Sequence, residues 1–316
     1  MSILITGATG FLGKVLVEKV PSNAIAILGR RPTNSGKINY HYGVIDKHSI
    51  YREALIGVDV VIHCAARVHV MKEVSSSPLE TCRSVNTYGT LNLAQQAAEA
   101  GVKRFIFISS IKVNGESSEL GFPFKPDDDF VPTDPYALSK YEAEVGLRKI
   151  ATETGIEVVI IRPPLVYGAG VKANFASMLK WVYKGVPLPL GGIIHNKRSF
   201  VSVDNLVDLI ITCIDHPKAA NQTFLVSDDD DVSTTGLLKN IASAFSIKSR
   251  LIPIPSSWFV LAAKLIAKPA ISERLCGSLQ VDISKTKDIL GWTPPYSTSV
   301  CMKKTTDAFI KNNGKL

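Results

Sequence analysis

A doubly wound, parallel α/β sheet with a smaller C-terminal lobe interleaved with it is the fold class this 316-residue sequence predicts. The first observation behind it is the alternation, through residue 162, of short apolar runs with helix-length amphipathic stretches, because strands separated by helices return parallel. The second is the glycine-punctuated junction Thr6-Gly7-Ala8-Thr9-Gly10-Phe11-Leu12-Gly13 directly behind the apolar run Ile3-Leu4-Ile5. The third is a loosening after Arg162-Pro163-Pro164, where prolines at 187, 189, 253, 255, 269, 294 and 295 punctuate shorter elements. No repeat or low-complexity tract interrupts the chain.

The spacing predicts strands near 2–6, 24–28, 58–64, 104–110 and 157–162, and helices near 11–20, 80–100 and 134–154. Ile3-Leu4-Ile5 forms the first strand and Phe11-Leu12, Val15-Leu16-Val17 and Val20 the apolar stripe of the first helix. Between them Gly7 permits a backbone reversal that a side chain blocks. Gly10 lets main-chain N–H groups approach a pyrophosphate, and Gly13 lets the helix sit close to the strand. A dinucleotide suits this strand–turn–helix, although a glycine triplet also serves packing alone. The second strand ends in Leu28-Gly29-Arg30-Arg31, with no carboxylate for an adenosine ribose and two arginines available for a 2′-phosphate. A basic turn meeting solvent is the other reading of that pair.

The strand Arg104–Ile108 ends in Ser109-Ser110, at the sheet edge where such folds bind ligands. The following segment 114–133 is rich in Gly, Pro, Ser and Asp, and a loop this long inside a compact domain is generally functional. Asp134-Pro135 then supplies an N-cap and a first-turn proline, so Tyr136 and Lys140 project from one helix face, a turn apart. A tyrosine titrates near ~10, and acid–base work at neutral pH asks for a shift of about three units, roughly 4 kcal/mol. A lysine ammonium and the positive helix start both favour the phenolate. Taken alone, the pair equally describes a helix with a buried aromatic and a solvated lysine. Phe200–Asp204 with Leu206-Val207 and Leu209-Ile210-Ile211 predicts a strand and helix returning to the first lobe. The division expected is 1–166 for dinucleotide binding, with 199–217 returning to it, and 167–316 mainly for substrate.

Five cysteines, an odd number without a Cys-x-x-Cys pair, indicate neither a disulfide frame nor zinc, and six scattered histidines give no metal-ligand spacing. Net charge is +8 with a pI of about 9.1, but the basic residues are dispersed, which favours a phosphorylated small molecule over nucleic acid. The first strand begins at Ser2, and the apolar stretch Trp258–Ala267 is short and carries Lys264. The expectation is a cytoplasmic protein with no membrane partner. The acidic run Asp228–Asp231 reads as a solvated loop ahead of a helix start.

Gly7-x-x-Gly10-x-x-Gly13, Ala65-Ala66, Asn86-x-x-Gly89-Thr90, Ser109-Ser110, Tyr136-x-x-x-Lys140 and Arg162-Pro163-x-x-Val166-Tyr167-Gly168 stand in an order that resembles the extended short-chain dehydrogenase/reductase family. Within it the likeness is to nucleotide-sugar epimerases, dehydratases and 4-keto reductases. It continues through Arg198-Ser199-Phe200-Val201-x-Val203-Asp204 and Asp282-x-Ser284-Lys285 to Leu290-Gly291-Trp292, so it spans nearly the whole chain. The resemblance implies a Rossmann sheet in which Tyr136 is the acid/base. Lys140 tunes it and orders the nicotinamide ribose, and Ser110 holds the reacting sugar oxygen. It implies cofactor contacts from Gly7, Thr9, Gly10, Phe11, Leu12, Gly13, Arg30, Arg31, Asp46, Ala65, Ala66, Asn86, Ser109, Lys140 and Pro163. Substrate contacts are implied for Tyr136, for Arg198 and Arg274 on a diphosphate, for Asn174 beside the sugar and nucleotide, and for Arg67, His69 and Lys112 flanking the cleft.

The sequence departs from that pattern at Asp46, two residues later than the usual adenine-binding aspartate, and at Asn114, where tyrosine is usual and the sugar pocket is shaped. Arg30 and Arg31 tilt the cofactor expectation to NADP, with NAD as the alternative. A reductase consumes NADPH each turnover, whereas an epimerase gains by retaining NAD. The stretch Ser109–Glu116 also resembles bacterial enzymes that reduce UDP-4-keto-6-deoxy-N-acetylhexosamines for surface polysaccharide such as O-antigen. Hydride delivery to C4 of such a sugar is therefore the first expectation. A UDP-hexose 4-epimerase with tightly bound NAD is the alternative, and a nucleotide-sensing protein without chemistry a third reading. Family analogy implies a homodimer through the helices near 80–100 and 134–154.

Overall fold

The computed structural model describes residues 1–20, 25–32, 38–68, 77–259 and 269–313. Its centre is a seven-stranded sheet in which all described pairings are parallel. In chain order the strands are β1 (Ile3–Thr6), β2 (Ile25–Gly29), β3 (Asn39–Tyr42), β4 (Val60–His63), β5 (Arg104–Ile108), β6 (Glu157–Arg162) and, after a separate pair, β9 (Thr223–Leu225). They lie side by side as β3-β2-β1-β4-β5-β6-β9, so the order reverses between β1 and β4. Connections leave in opposite directions there, opening a crevice at the C-terminal sheet edge.

Alternation along the strands builds two cores. Ile3, Ile5, Ile62, Ile106 and Val159 face α1 (Phe11–Lys19) and α7 (Val203–Asp215). Leu4, Val61, Phe105, Phe107 and Val158 face α4 (Thr90–Glu99) and α5 (Pro135–Thr154). A sheet covered on both faces explains why these strands read as nearly continuous apolar runs. Asp134 caps α5 by accepting from Ala137 N–H at 3.0 Å, and Gly155 at φ 79° ends it in the left-handed conformation that glycine accommodates best.

Three features differ from the spacing. β3, with the sequence Asn-Tyr-His-Tyr, and the three-residue β9 are sheet edges with no apolar alternation to announce them. The helical stretch near 80–100 is broken into α3 (Pro78–Arg83), a π-helical turn (Ser84–Gly89) and α4. Gly89 sits in that turn because a Cβ there would lie 2.9 Å from the Asp46 nitrogen and 2.8 Å from Ile45. Finally, β8 (Phe200–Ser202) pairs with β7 (Leu165–Tyr167) in a second, two-stranded sheet, while α7 behind it packs on α1 and β5. A third core joins Tyr167 and Phe175 to side chains of α6 (Ala173–Tyr183), α8 (Thr234–Ala244) and the helix Thr298–Asn313. Among the described residues no helix is long and apolar enough to cross a membrane, and no His, Cys, Asp and Glu cluster can hold a metal. All five cysteines are free thiols.

Candidate active site

Gly7 turns the chain at φ 71°, and a Cβ on it would lie 2.7 Å from the Ala65 nitrogen; a Cβ on Gly13 would fall on the Gly7 carbonyl oxygen. Gly10 donates to that carbonyl at 2.9 Å and stands at the N-cap of α1 with no side chain capping the helix. Uncapped N–H groups behind a turn bounded by two glycines make a cradle for a pyrophosphate, so the residues present fit a dinucleotide. Thr9 is exposed beside it, and Phe11 and Leu12 are half-buried on the first turn. Ala65 is half-buried and Ala66 exposed just past β4.

Beneath the cradle runs a buried chain that sequence reasoning missed. Thr6 Oγ1 accepts from Ala65 N–H at 3.2 Å, meets His63 Nδ1 at 2.8 Å, and His63 Nε2 meets Thr90 Oγ1 at 3.0 Å. The hydroxyls of Thr6 and Thr90 can each donate or accept, so either neutral tautomer of the ring satisfies the chain. Burial pushes His63 down to about 3, so the ring is neutral. The signal was a histidine ending the apolar strand Val60–His63 in register with Thr6. His63→Phe is expected to lower stability by about 1–3 kcal/mol, since two buried hydroxyls lose partners. Because unfolding lets His63 bind a proton below its ordinary value near ~6.5, the native protein loses stability from there down towards pH about 3. The gap between variant and native protein in urea titrations should therefore narrow on acidification; a gap that widens is the contrary result.

At the neighbouring strand end the catalytic candidates converge. Ser110, in extended backbone, accepts from Lys112 N–H at 3.3 Å, and its hydroxyl stands near enough to the Tyr136 phenol to act on its titration. Burial pushes Tyr136 up to about 12 while the Ser110 hydroxyl works the other way, so the phenol keeps its proton at neutral pH. Lys140 is buried; its Nζ donates to the Ile108 carbonyl at 2.8 Å and lies 4.3 Å above the Phe107 ring. Burial brings it down to about 8. Such a group sits near the point where it gains and loses its charge.

Asn86 is wholly buried, with Nδ2 donating to Arg67 O (2.9 Å) and Ser139 Oγ (3.0 Å) and Oδ1 accepting from Arg67 N–H (2.8 Å). Ser139 in turn donates to Tyr136 O at 2.7 Å. Asn86 thereby acts as a strut tying the loop after β4 to the Tyr136 turn. At Ser109, strand alternation turns the hydroxyl away from Ser110 and onto Glu144 at 2.6 Å. Glu144, fully buried, pairs through both oxygens with Arg162 (2.9 and 2.6 Å), whose Nη1 holds Asn114 Oδ1 at 2.9 Å and Pro126 O at 3.1 Å. Asn114 therefore belongs to this buried network. Pro163 is buried and anchors Ile111 N–H through its carbonyl at 3.0 Å.

The other expected residues divide. Arg30 and Arg31 are exposed just past β2. Asp46 spends Oδ1 on the N–H groups of His48 and Ser49, each at 2.8 Å, which holds its carboxyl below the usual range and closes a local turn. Lys112 is ion-paired with Glu116 at 2.6 Å and lies 3.7 Å from Asp134. Arg198 donates to Gly277 O (3.0 Å) and Arg274 O (3.4 Å), bringing it beside the helix Pro269–Cys276 on which Arg274 is exposed. Asn174 is exposed in the first turn of α6, and Arg67 is half-buried. His69 lies outside the described residues.

The glycine cradle and the Ser110, Tyr136 and Lys140 group at one edge of a doubly wound sheet define an enzyme of the extended short-chain dehydrogenase/reductase type. The NAD dependent epimerase/dehydratase family matches residues 3–227, and the chain belongs to that family. A UDP-glucose 4-epimerase of Vibrio cholerae is 50% identical over 99% of this chain and 97% of its own length. Among solved structures, UDP-glucose 4-epimerase from Thermotoga maritima with UDP-glucose shares the fold at TM-score 0.79 and 22% identity, covering 99% of both chains. UDP-glucuronic acid 4-epimerase from Bacillus cereus in complex with NAD does so at 0.78 and 19%, covering 99% of this chain and all of that one.

Proposed function

We propose that this enzyme is a UDP-hexose 4-epimerase, acting on glucose and galactose or their N-acetyl forms. The observation that carries the reading is the 50% identity, end to end, with the Vibrio cholerae enzyme. The cofactor's nicotinamide, when bound, supplies the acceptor and donor of a hydride at sugar C4. Main-chain N–H groups of Gly7–Gly13 hold its pyrophosphate, with Ala65 and Ala66 alongside. Tyr136 takes the proton of the C4 hydroxyl and returns it, and Ser110 holds that oxygen. The Lys140 ammonium lowers the cost of the phenolate and holds the ribose. Arg274 binds the diphosphate, and Arg198 positions the helix that carries it. Arg67, Lys112 and Asn174 surround the sugar and nucleotide, with 1–166 as the dinucleotide lobe and 167–316 mainly as the substrate lobe of a homodimer.

One observation favours a second reading, reduction of a UDP-4-keto-6-deoxy-N-acetylhexosamine for surface polysaccharide. The end of β2 offers two exposed arginines and no carboxylate, which suits the 2′-phosphate of NADPH. The deciding experiment incubates the purified protein with UDP-glucose and no added cofactor, and separately with NADPH and the 4-keto sugar. Interconversion of UDP-glucose and UDP-galactose is the expected result. Stoichiometric NADPH loss with no interconversion would instead establish the reductase, in which case Arg30→Ala/Arg31→Ala should raise KM for NADPH by about tenfold or more, the loss of charge-assisted phosphate bonds.

A further inference from the structure

The second lobe carries a face that this chemistry does not use. From Val158 to Val203 and from Val232 to Phe259 the sequence has nine Lys or Arg and no Asp or Glu, although the chain as a whole holds 28 acidic residues. The fold lays the distal parts of these stretches side by side. Leu188 and Gly191 N–H donate to the carbonyls of Arg250 and Ile252, both at 2.9 Å, and Ile252 N–H returns to Leu188 O at 2.8 Å. At one end Val186 bonds back to Trp181 O at 3.1 Å, and at the other Ile194 and Trp258 both follow the Gly192–Pro255 bridge.

Along this ribbon Trp181 (47% exposed), Val186, Ile194, Ile252 and Trp258 (70%) present apolar surface to solvent, while Trp292, the third tryptophan, is buried. Exposed Lys180, Lys184, Lys248 and Arg250 stand among them. Tryptophan interleaved with cations is the composition of a bilayer-interface anchor, in which the indole sits at headgroup depth and the cations meet anionic lipid. A protein strand is a poorer occupant, because Pro187, Pro189, Pro253 and Pro255 remove the N–H groups that edge pairing needs. We propose that this face docks the second lobe on an anionic phospholipid bilayer as a peripheral contact. This docking departs from the expectation of no membrane partner, which rested on the short, Lys264-bearing apolar stretch, because a peripheral contact needs no spanning segment.

The full-length protein should sediment with vesicles of phosphatidylcholine and phosphatidylglycerol at least about tenfold better than with phosphatidylcholine alone, and less well as salt rises. Brominated lipid should quench its tryptophan emission. Lys184→Glu/Lys248→Glu is expected to reduce vesicle binding about tenfold. Trp181→Ser/Trp258→Ser should remove the quenching. Both variants should keep turnover of a water-soluble UDP-sugar, the control for folding. Equal sedimentation with both vesicle types overturns the proposal, as does retention on immobilised polyglutamate without vesicle binding, which would indicate an acidic protein partner.

Discussion

Tyr136→Phe is expected to lower kcat for UDP-sugar turnover by roughly 10²–10⁴, the usual span for removing a positioned acid–base group, with cofactor binding nearly unchanged. The substitution deletes one oxygen from a side chain whose ring stays in place at the start of α5, so the loss reports proton transfer and not folding. The environment adds a pH signature. Burial holds the phenol up at about 12 with Ser110 working the other way, and burial brings Lys140, one turn further along α5, down to about 8. Above about 8 Lys140 gives up its charge and the phenolate becomes harder to form, so kcat should fall on the alkaline side with an apparent pKa near that value. Lys140→Met should lack the alkaline limb and show a low, flat rate. Steady-state kinetics from pH 6 to 10 check both; a Tyr136→Phe enzyme within threefold of the native rate removes the phenol from the mechanism.

How far the site could be read in advance followed the range of the interactions. Gly7, Gly10 and Gly13 are legible because their reason is local: a turn and a helix start contained in one short stretch of chain. Tyr136 and Lys140 are legible because helix geometry alone places them on one face. Ser109 and Ser110 mark the limit, since sequence finds the strand end but not which neighbour faces the crevice. That depends on Glu144 waiting 35 residues later. Asn86, Asn114 and Arg198 each satisfy main-chain groups 11 to 79 residues away, a role that type and position in sequence do not announce. β3 and β9 escaped the same way, because an edge strand is defined by a neighbour's hydrogen bonds and not by its own alternation.

Arg162→Met is expected to cost about 3–5 kcal/mol of stability, the range for breaking a buried ion pair from one side. Glu144 is fully buried, and its other hydrogen-bond partners among the described residues are the Ser109 hydroxyl and the half-exposed Arg148, 3.1 Å away. An uncompensated carboxylate in that position is what the variant must fold around. Arg162 also joins three parts of the site: β6, the α5 helix bearing Tyr136 and Lys140, and the segment after Ser110, through Asn114 and Pro126. Losing it should therefore lower kcat at temperatures where the variant is still folded, because Ser110 and Tyr136 lose their common backing. Glu144→Leu/Arg162→Met, which removes both charges, should recover a large part of the stability, since replacing a whole buried pair by apolar side chains is often close to neutral. If the double variant recovers stability but not kcat, the pair orients the site; if urea titration finds Arg162→Met within 1 kcal/mol of the native protein, water reaches Glu144 and the pair is not the clamp its geometry describes.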